Sequence, residues 1–213
     1  AQAILEKMPY GMLVREYALE YPGAGYGGTF KKWMIGEIDG AYNSWGNGSA
    51  MRVSAVGWAF NDLKTVLVEA EKSAVITHNH PEGVKGAQAI AAAVFMARMG
   101  KSKDAIKKYI TSTFDYDLER KIAEIRPTYD FDVSCQGSVP EAIIAFLEGD
   151  DFEGTIRLAI SLGGDSDTIA AMAGGIAEAF YGGIPEKIEA ETRKLLPENF
   201  LRVIHSFYQK YGI

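Results

Sequence analysis

A chain of 213 residues is long enough for one domain with a sizeable core, or at most two small ones. With 47% hydrophobic and 23% charged residues, the composition is that of a globular protein and excludes a disordered or fibrous chain. A net charge of −6 with scattered Lys and Arg argues against nucleic-acid binding, yet leaves room for a phosphate-bearing small ligand held by helix N-termini or a metal.

One cysteine, Cys135, rules out an internal disulfide, and no Cys/His cluster suits zinc. The expected setting is therefore reducing and cytoplasmic. The most apolar run, Ile169 to Ala177, is too short to span a bilayer and is explained by close helix packing, so no membrane association is expected.

In chain order, the spacing of Leu13, Val14, Tyr17 and Ala18 after Pro9 predicts a helix over Tyr10 to Glu20. A glycine-rich loop from Pro22 to Gly28 follows, then a short helical turn from Thr29 to Met34. The stretch Trp45-Gly46-Asn47-Gly48-Ser49 leads into a helix through Trp58, with Ser49 as its cap and Arg52 one turn in. Backbone N–H groups at such a start hold a phosphate or carboxylate, and Arg52 would add a positive fork; an ordinary capped helix is the plainer reading.

Helices are predicted over Asp62 to Ile76 and Gly83 to Met99, joined by a loop carrying His78 and His80. With no third His or Cys nearby, these two histidines are better read as hydrogen-bonding, stacking or capping residues than as zinc ligands. Further helices are predicted over Lys103 to Ser112, Tyr116 to Ile125, Val139 to Leu147 with Pro140 near its start, and Asp151 to Leu162. After a turn at Tyr181 to Pro185, amphipathic helices over Glu186 to Leu195 and Glu198 to Tyr211 close the chain. No β-alternating segment of useful length, repeat or linker is seen, so the expected class is all-α, a compact multi-helix single domain over residues 1–213.

The chain is organised around Gly163-Gly164-Asp165-Ser166-Asp167-Thr168, which runs into a helix of small apolar residues. Two glycines permit a tight turn. Two carboxylates and a hydroxyl then follow, and they converge only if they sit at the loop-to-helix junction. There Asp165, Asp167 and Thr168 would share a hard cation, Mg²⁺, Mn²⁺ or Ca²⁺. The alternative is that Asp165 or Ser166 is a helix cap, with the other acid favoured by the helix dipole.

Four blocks together resemble the ADP-ribosylglycohydrolases, in the family's order and across nearly the whole chain. They are Trp45 to Arg52, Thr77-His78 with Gly83 and Gly86-Ala87, Gly137 to Ala142, and Gly163 to Thr168. The resemblance implies an all-α enzyme with two divalent cations, Mg²⁺ or Mn²⁺, in a cleft. It would hydrolyse the bond between the anomeric carbon of an ADP-ribosyl group and a protein side chain or a small-molecule acceptor. Asp165, Asp167 and Thr168 would then be metal ligands, with both aspartates at the catalytic centre. Asn47, Gly48 and Ser49 would hold the diphosphate and ribose, and His78 would line the ligand.

The family's other metal-binding cluster, Thr-Asp-Asp-Thr preceded by Gly-Asp, is not in this sequence. Its absence implies a fragment, a truncated product or a degenerate member, with a core patch that a second chain would cover as a homodimer. It also keeps open a non-catalytic ADP-ribose-binding or crystallin-like structural protein. Another glycosidase using Asp130 and Asp132 is weaker, because their connection offers no distinct surroundings for two acids.

Overall fold

The computed structural model describes residues 1–212, which hold fourteen helices and one isolated antiparallel bridge, Gly46 to Ser134. α1 (Gln2–Glu6), α2 (Tyr10–Glu20) and α3 (Gly28–Met34) come first. α2 and α3 close a small apolar cluster of Ala18, Trp33 and Met34, with the Arg15 guanidinium 4.5 Å above the Trp33 ring. The main body follows as α4 (Gly48–Met51), α5 (Ser54–Ala59), α6 (Leu63–Ala74), α7 (Pro81–Arg98), α8 (Lys103–Phe114) and α9 (Ile122–Ile125). It continues with α10 (Cys135–Glu148), α11 (Phe152–Ser161), α12 (Ser166–Tyr181), α13 (Glu186–Leu195) and α14 (Glu198–Tyr211).

α7 is the axis of the fold. Its alanines at 87, 89, 91, 92, 93 and 97 are buried, so it is apolar on every side, as a helix wrapped by others must be. Small side chains let α4, α5, α6, α8, α10 and α12 approach it. α12 is built likewise and packs on α4, α5, α7, α10 and α11. Around this pair the core is filled by Ile90, Ile143, Phe146, Ile169 and Met172, all about fully buried, each worth roughly 1.5–3 kcal/mol of apolar transfer. The starts of α4, α10 and α12 are consequently brought to one place.

The predicted bounds of α2, α13 and α14 match the structure. Four expectations differ. The helix predicted through Trp58 is two pieces, α4 and α5, broken at Arg52 and Val53. Ser49 does not cap it: Asn47 holds the cap position, and Ser49 lies inside the helix with its hydroxyl turned to Gly83. The stretch from Tyr116 is extended until Ile122, because Phe114, Tyr116 and Leu118 are buried in alternation with exposed Asp115, Asp117 and Glu119. Pro140 sits inside α10 rather than at its start, since Ser134 begins that helix by accepting the Gly137 N–H at 3.0 Å.

Candidate active site

Asp165 occupies the cap position of α12, yet its carboxylate accepts no hydrogen bond from the helix it precedes. Instead its Oδ2 accepts the Asn47 side-chain amide at 2.6 Å, a contact across 118 residues of sequence. The same Asn47 nitrogen donates to Ser138 Oγ at 3.0 Å, and Ser138 Oγ donates to the Asp132 carbonyl at 3.0 Å. With both acceptors satisfied from one amide, Asn47 has a single orientation, and the partly buried Asp165 keeps its other oxygen out of the cap bonds of α12. The loop bearing Asn47 is pinned to the approach of α10 by two backbone bonds, Asn47 N–H to Val133 O at 2.8 Å and Cys135 N–H to Trp45 O at 2.9 Å.

The turn before Asp165 needs glycine. Gly164 has φ +60°, and a Cβ there would lie 2.9 Å from both the Asp130 carbonyl and the Tyr129 ring. Tyr129 is itself fixed by donating its hydroxyl to Gly137 O at 2.7 Å. The acidic turn therefore rests on the segment that also begins α10. Beyond it, the exposed Asp167 accepts the Thr168 N–H at 2.9 Å, and the buried Thr168 hydroxyl points at Met51 Sδ, 3.6 Å away.

A second group of polar residues lies where α6 ends and α7 begins. Ser49 is fully buried and donates to Gly83 O at 2.7 Å, so its hydroxyl fastens α4 to α7. Arg52 also turns inward: one guanidinium nitrogen donates to Ser73 O and to Thr77 Oγ1, each at 3.0 Å. The outward positive fork expected of Arg52 is thus absent, because the backbone break after α4 aims it at the end of α6. Burial pushes its pKa down to about 10. Thr77 Oγ1 lies 2.7 Å from His78 Nδ1. His80 caps α7 by accepting the Glu82 N–H at 3.1 Å, and its ring meets Trp45 edge-on with centroids 5.6 Å apart.

Burial first, and the Arg52 charge second, push the His78 pKa from 6.5 down to about 3. A depressed histidine costs stability in acid: below pH 6.5 the unfolded chain takes up a proton that the folded chain refuses. The expected loss from this residue is about 2 kcal/mol between pH 7 and pH 5, growing until pH falls through the folded value. Glu141 and Glu178 act with the opposite sign, since burial raises both and the folded chain protonates them first as pH falls. Urea unfolding at pH 7 and pH 5 checks the effect, and His78→Gln is expected to remove most of the His78 part.

The structure gathers Asn47, Ser138 and Asp165 at one point, with Asp167 and Thr168 on the first turn of α12, and His78 beside the loop of Gly46 and Gly48. Sequence reasoning gave no role to Ser138, Tyr129 or Thr77. The first two were signalled only by the Gly137 and Gly164 they serve, and Thr77 only by its place beside His78. Among the described residues no group of three or more His, Cys, Asp or Glu is placed to hold a metal ion. Asp165, Asp167 and Thr168 offer hard oxygen donors of the kind one Mg²⁺ or Mn²⁺ takes together with water and ligand oxygens. They do not supply a second cation's ligands as well.

A sequence profile described as ADP-ribosylglycohydrolase matches residues 5–211. The chain is 29% identical to ADP-ribosylhydrolase ARH3 of Homo sapiens, over 93% of this chain and 72% of that protein. It is 28% identical to ADP-ribosylarginine hydrolase Tri1 of Pseudomonas putida, over 74% of this chain and 46% of that protein. A solved ADP-ribosylglycohydrolase-related protein complex superposes with a TM-score of 0.60 at 26% identity, over 83% of this chain and 64% of that one. The chain accordingly spans between about half and three quarters of the proteins it matches. With the profile running through all four motif blocks and the fold agreeing, the chain belongs to the ADP-ribosylglycohydrolase family, a family of hydrolases.

Proposed function

We propose that the chain is a divalent-metal-dependent hydrolase that removes ADP-ribosyl groups from protein side chains or from a related ADP-ribosylated acceptor. The observation that carries this reading is the direction of Asp165. A carboxylate at a helix start normally accepts the free N–H groups of its own first turn. Asp165 gives that up and is held by Asn47 with an oxygen left for something else.

In this reading the carboxylates of Asp165 and Asp167 and the Thr168 hydroxyl would hold the cation. When bound, it would supply Lewis acidity toward the ribose hydroxyls and the attacking water. Asn47 fixes the rotamer of Asp165, so that carboxylate orients the water without first having to order itself. Water adds at the anomeric carbon, the bond to the acceptor atom breaks, and one proton leaves with the acceptor. The loop of Gly46 to Ser49, tied down through Ser49 and beside His78, faces the diphosphate. Trp45 and His80 stand next to that loop as an edge-to-face pair. A cytoplasmic setting is part of this proposal, and the one cysteine, buried and unpaired, is what supports it.

The half-set of metal ligands favours one competing reading, a protein that binds ADP-ribose without cleaving its conjugates. Calorimetry with ADP-ribose, run beside release assays on serine-linked and arginine-linked ADP-ribosyl peptides, separates the two. Binding with release from one linkage supports the hydrolase and names its acceptor, whereas binding with release from neither selects the non-catalytic protein. For the cation itself, Asp167→Ala is expected to weaken Mn²⁺ binding at least about tenfold, or ~1.4 kcal/mol. Far-UV circular dichroism should stay close to that of the parent. Unchanged Mn²⁺ affinity would remove Asp167 from the ligand set.

A further inference from the structure

The short contacts of the polar chain behind the ligand loop favour one proton arrangement. A guanidinium only donates, so Thr77 Oγ1 must be the acceptor of Arg52 Nη2 at 3.0 Å. A hydroxyl has one proton, and Thr77 is fully buried, with His78 Nδ1 at 2.7 Å as its close partner and the Tyr42 hydroxyl as a further neighbour. If Nδ1 carried the proton and gave it to Thr77, the threonine would accept twice and its own proton would be left with the Tyr42 hydroxyl, a looser contact than the 2.7 Å one to His78. That arrangement gives up the shorter bond for a poorer one and is disfavoured in a buried setting. Arg52 cannot swing away to relieve it, because the same nitrogen donates to Ser73 O at 3.0 Å.

We infer that Arg52 and Thr77 are positioning residues which lock the His78 ring as its Nε2–H tautomer. One fixed donor then faces the loop of Gly46 and Gly48. The direction of that nitrogen is on the structure: a Cβ at Gly46 or at Gly48 would stand 3.4 Å from His78 Nε2. His78 is 6% exposed and Nε2 is not among the buried polar atoms that lack a partner, so what the ring leaves uncovered lies on the side of the loop. Such a site selects a ligand atom that only accepts, a phosphate or other anionic oxygen, and rejects a donor. With the ring neutral, attraction to the ligand comes from a directed hydrogen bond rather than from a mobile charge. The ligand's identity as ADP-ribose rests on the function proposed above; the tautomer does not.

The test uses the whole chain labelled with ¹⁵N and long-range proton–nitrogen correlation of the imidazole rings at pH 7. The chain has only three histidines, and the signals lost in His78→Gln identify the ring. The expected result is a protonated Nε2 and an unprotonated Nδ1 in the parent. Thr77→Val, which keeps shape and loses the hydroxyl, should turn this into a tautomer mixture and weaken ADP-ribose binding about fivefold, while Thr77→Ser restores both. A parent ring protonated at Nδ1, or a Thr77→Val ring with the parent pattern, overturns the inference. If the parent shows the Nε2–H tautomer and does not bind ADP-ribose, the proposed function fails and the proton arrangement stands.

Discussion

Asp165→Asn is expected to abolish measurable release of ADP-ribose, lowering the rate by on the order of 10³-fold, the range seen when one oriented catalytic group is lost. The substitution is nearly isosteric, and the new amide oxygen still accepts from Asn47, so geometry is kept and only the charge goes. Stability should hardly change, because the parent carboxylate makes no bond to the N–H groups of α12. Asp62 supplies the control. It is a true cap, accepting the Thr65 N–H at 2.8 Å, so Asp62→Ala should lower the melting temperature measurably with activity retained. Thermal unfolding and release assays on the two variants should therefore give opposite patterns. A large loss of stability in Asp165→Asn with activity retained would return Asp165 to the role of a helix cap.

Gly83→Ala is expected to be strongly damaging for the addition of one methyl group, lowering stability by roughly 2–3 kcal/mol and the melting temperature by about 5–10 °C. Propensity alone predicts the reverse, since alanine is the better helix former by about 1 kcal/mol. Packing overrides it. A Cβ at position 83 would stand 2.6 Å from the Ser44 carbonyl and 3.0 Å from His78 Cβ, and neither belongs to a free side-chain end. The Gly83 carbonyl also receives the Ser49 hydroxyl, so displacing α7 releases the ligand loop. ADP-ribose affinity should fall together with stability. Gly28→Ala, where a Cβ meets nothing within 4 Å, is the matched control and should be close to neutral. Equal melting temperatures for the two alanine variants would show that the approach of α7 to the Ser44 segment is not tight.

Elements whose faces repeat at helical spacing between Pro or Gly signals were legible in the sequence, as α2, α13 and α14 show. The helix expected over Tyr116 to Ile125 is formed only from Ile122. The alternation of Tyr116 and Leu118 with Asp117 and Glu119 already carried the period of an extended chain. Pro140 misled in the other direction: the rule for proline at a helix start is local, whereas the Ser134 cap that begins α10 lies six residues upstream. At the site, the glycines and acids of 163 to 168 could be read locally, because a turn and a junction are local events. Where Arg52 points could not be read, since its acceptors Ser73 and Thr77 lie 21 and 25 residues away. Nor could the 118-residue contact of Asn47 with Asp165, which exists only once α4 and α12 are packed together.

The central claim is that Asp165 and its neighbours form a working hydrolytic site, and release of free ADP-ribose from an ADP-ribosyl-arginine or ADP-ribosyl-serine peptide tests it most directly. The assay is run on this chain with Mg²⁺ and again after EDTA. The account predicts release with Mg²⁺ that EDTA stops and that Asp165→Asn lacks. Tight binding of ADP-ribose with no release from either peptide in Mg²⁺ would contradict it, and would make the chain a binder built on a hydrolase fold.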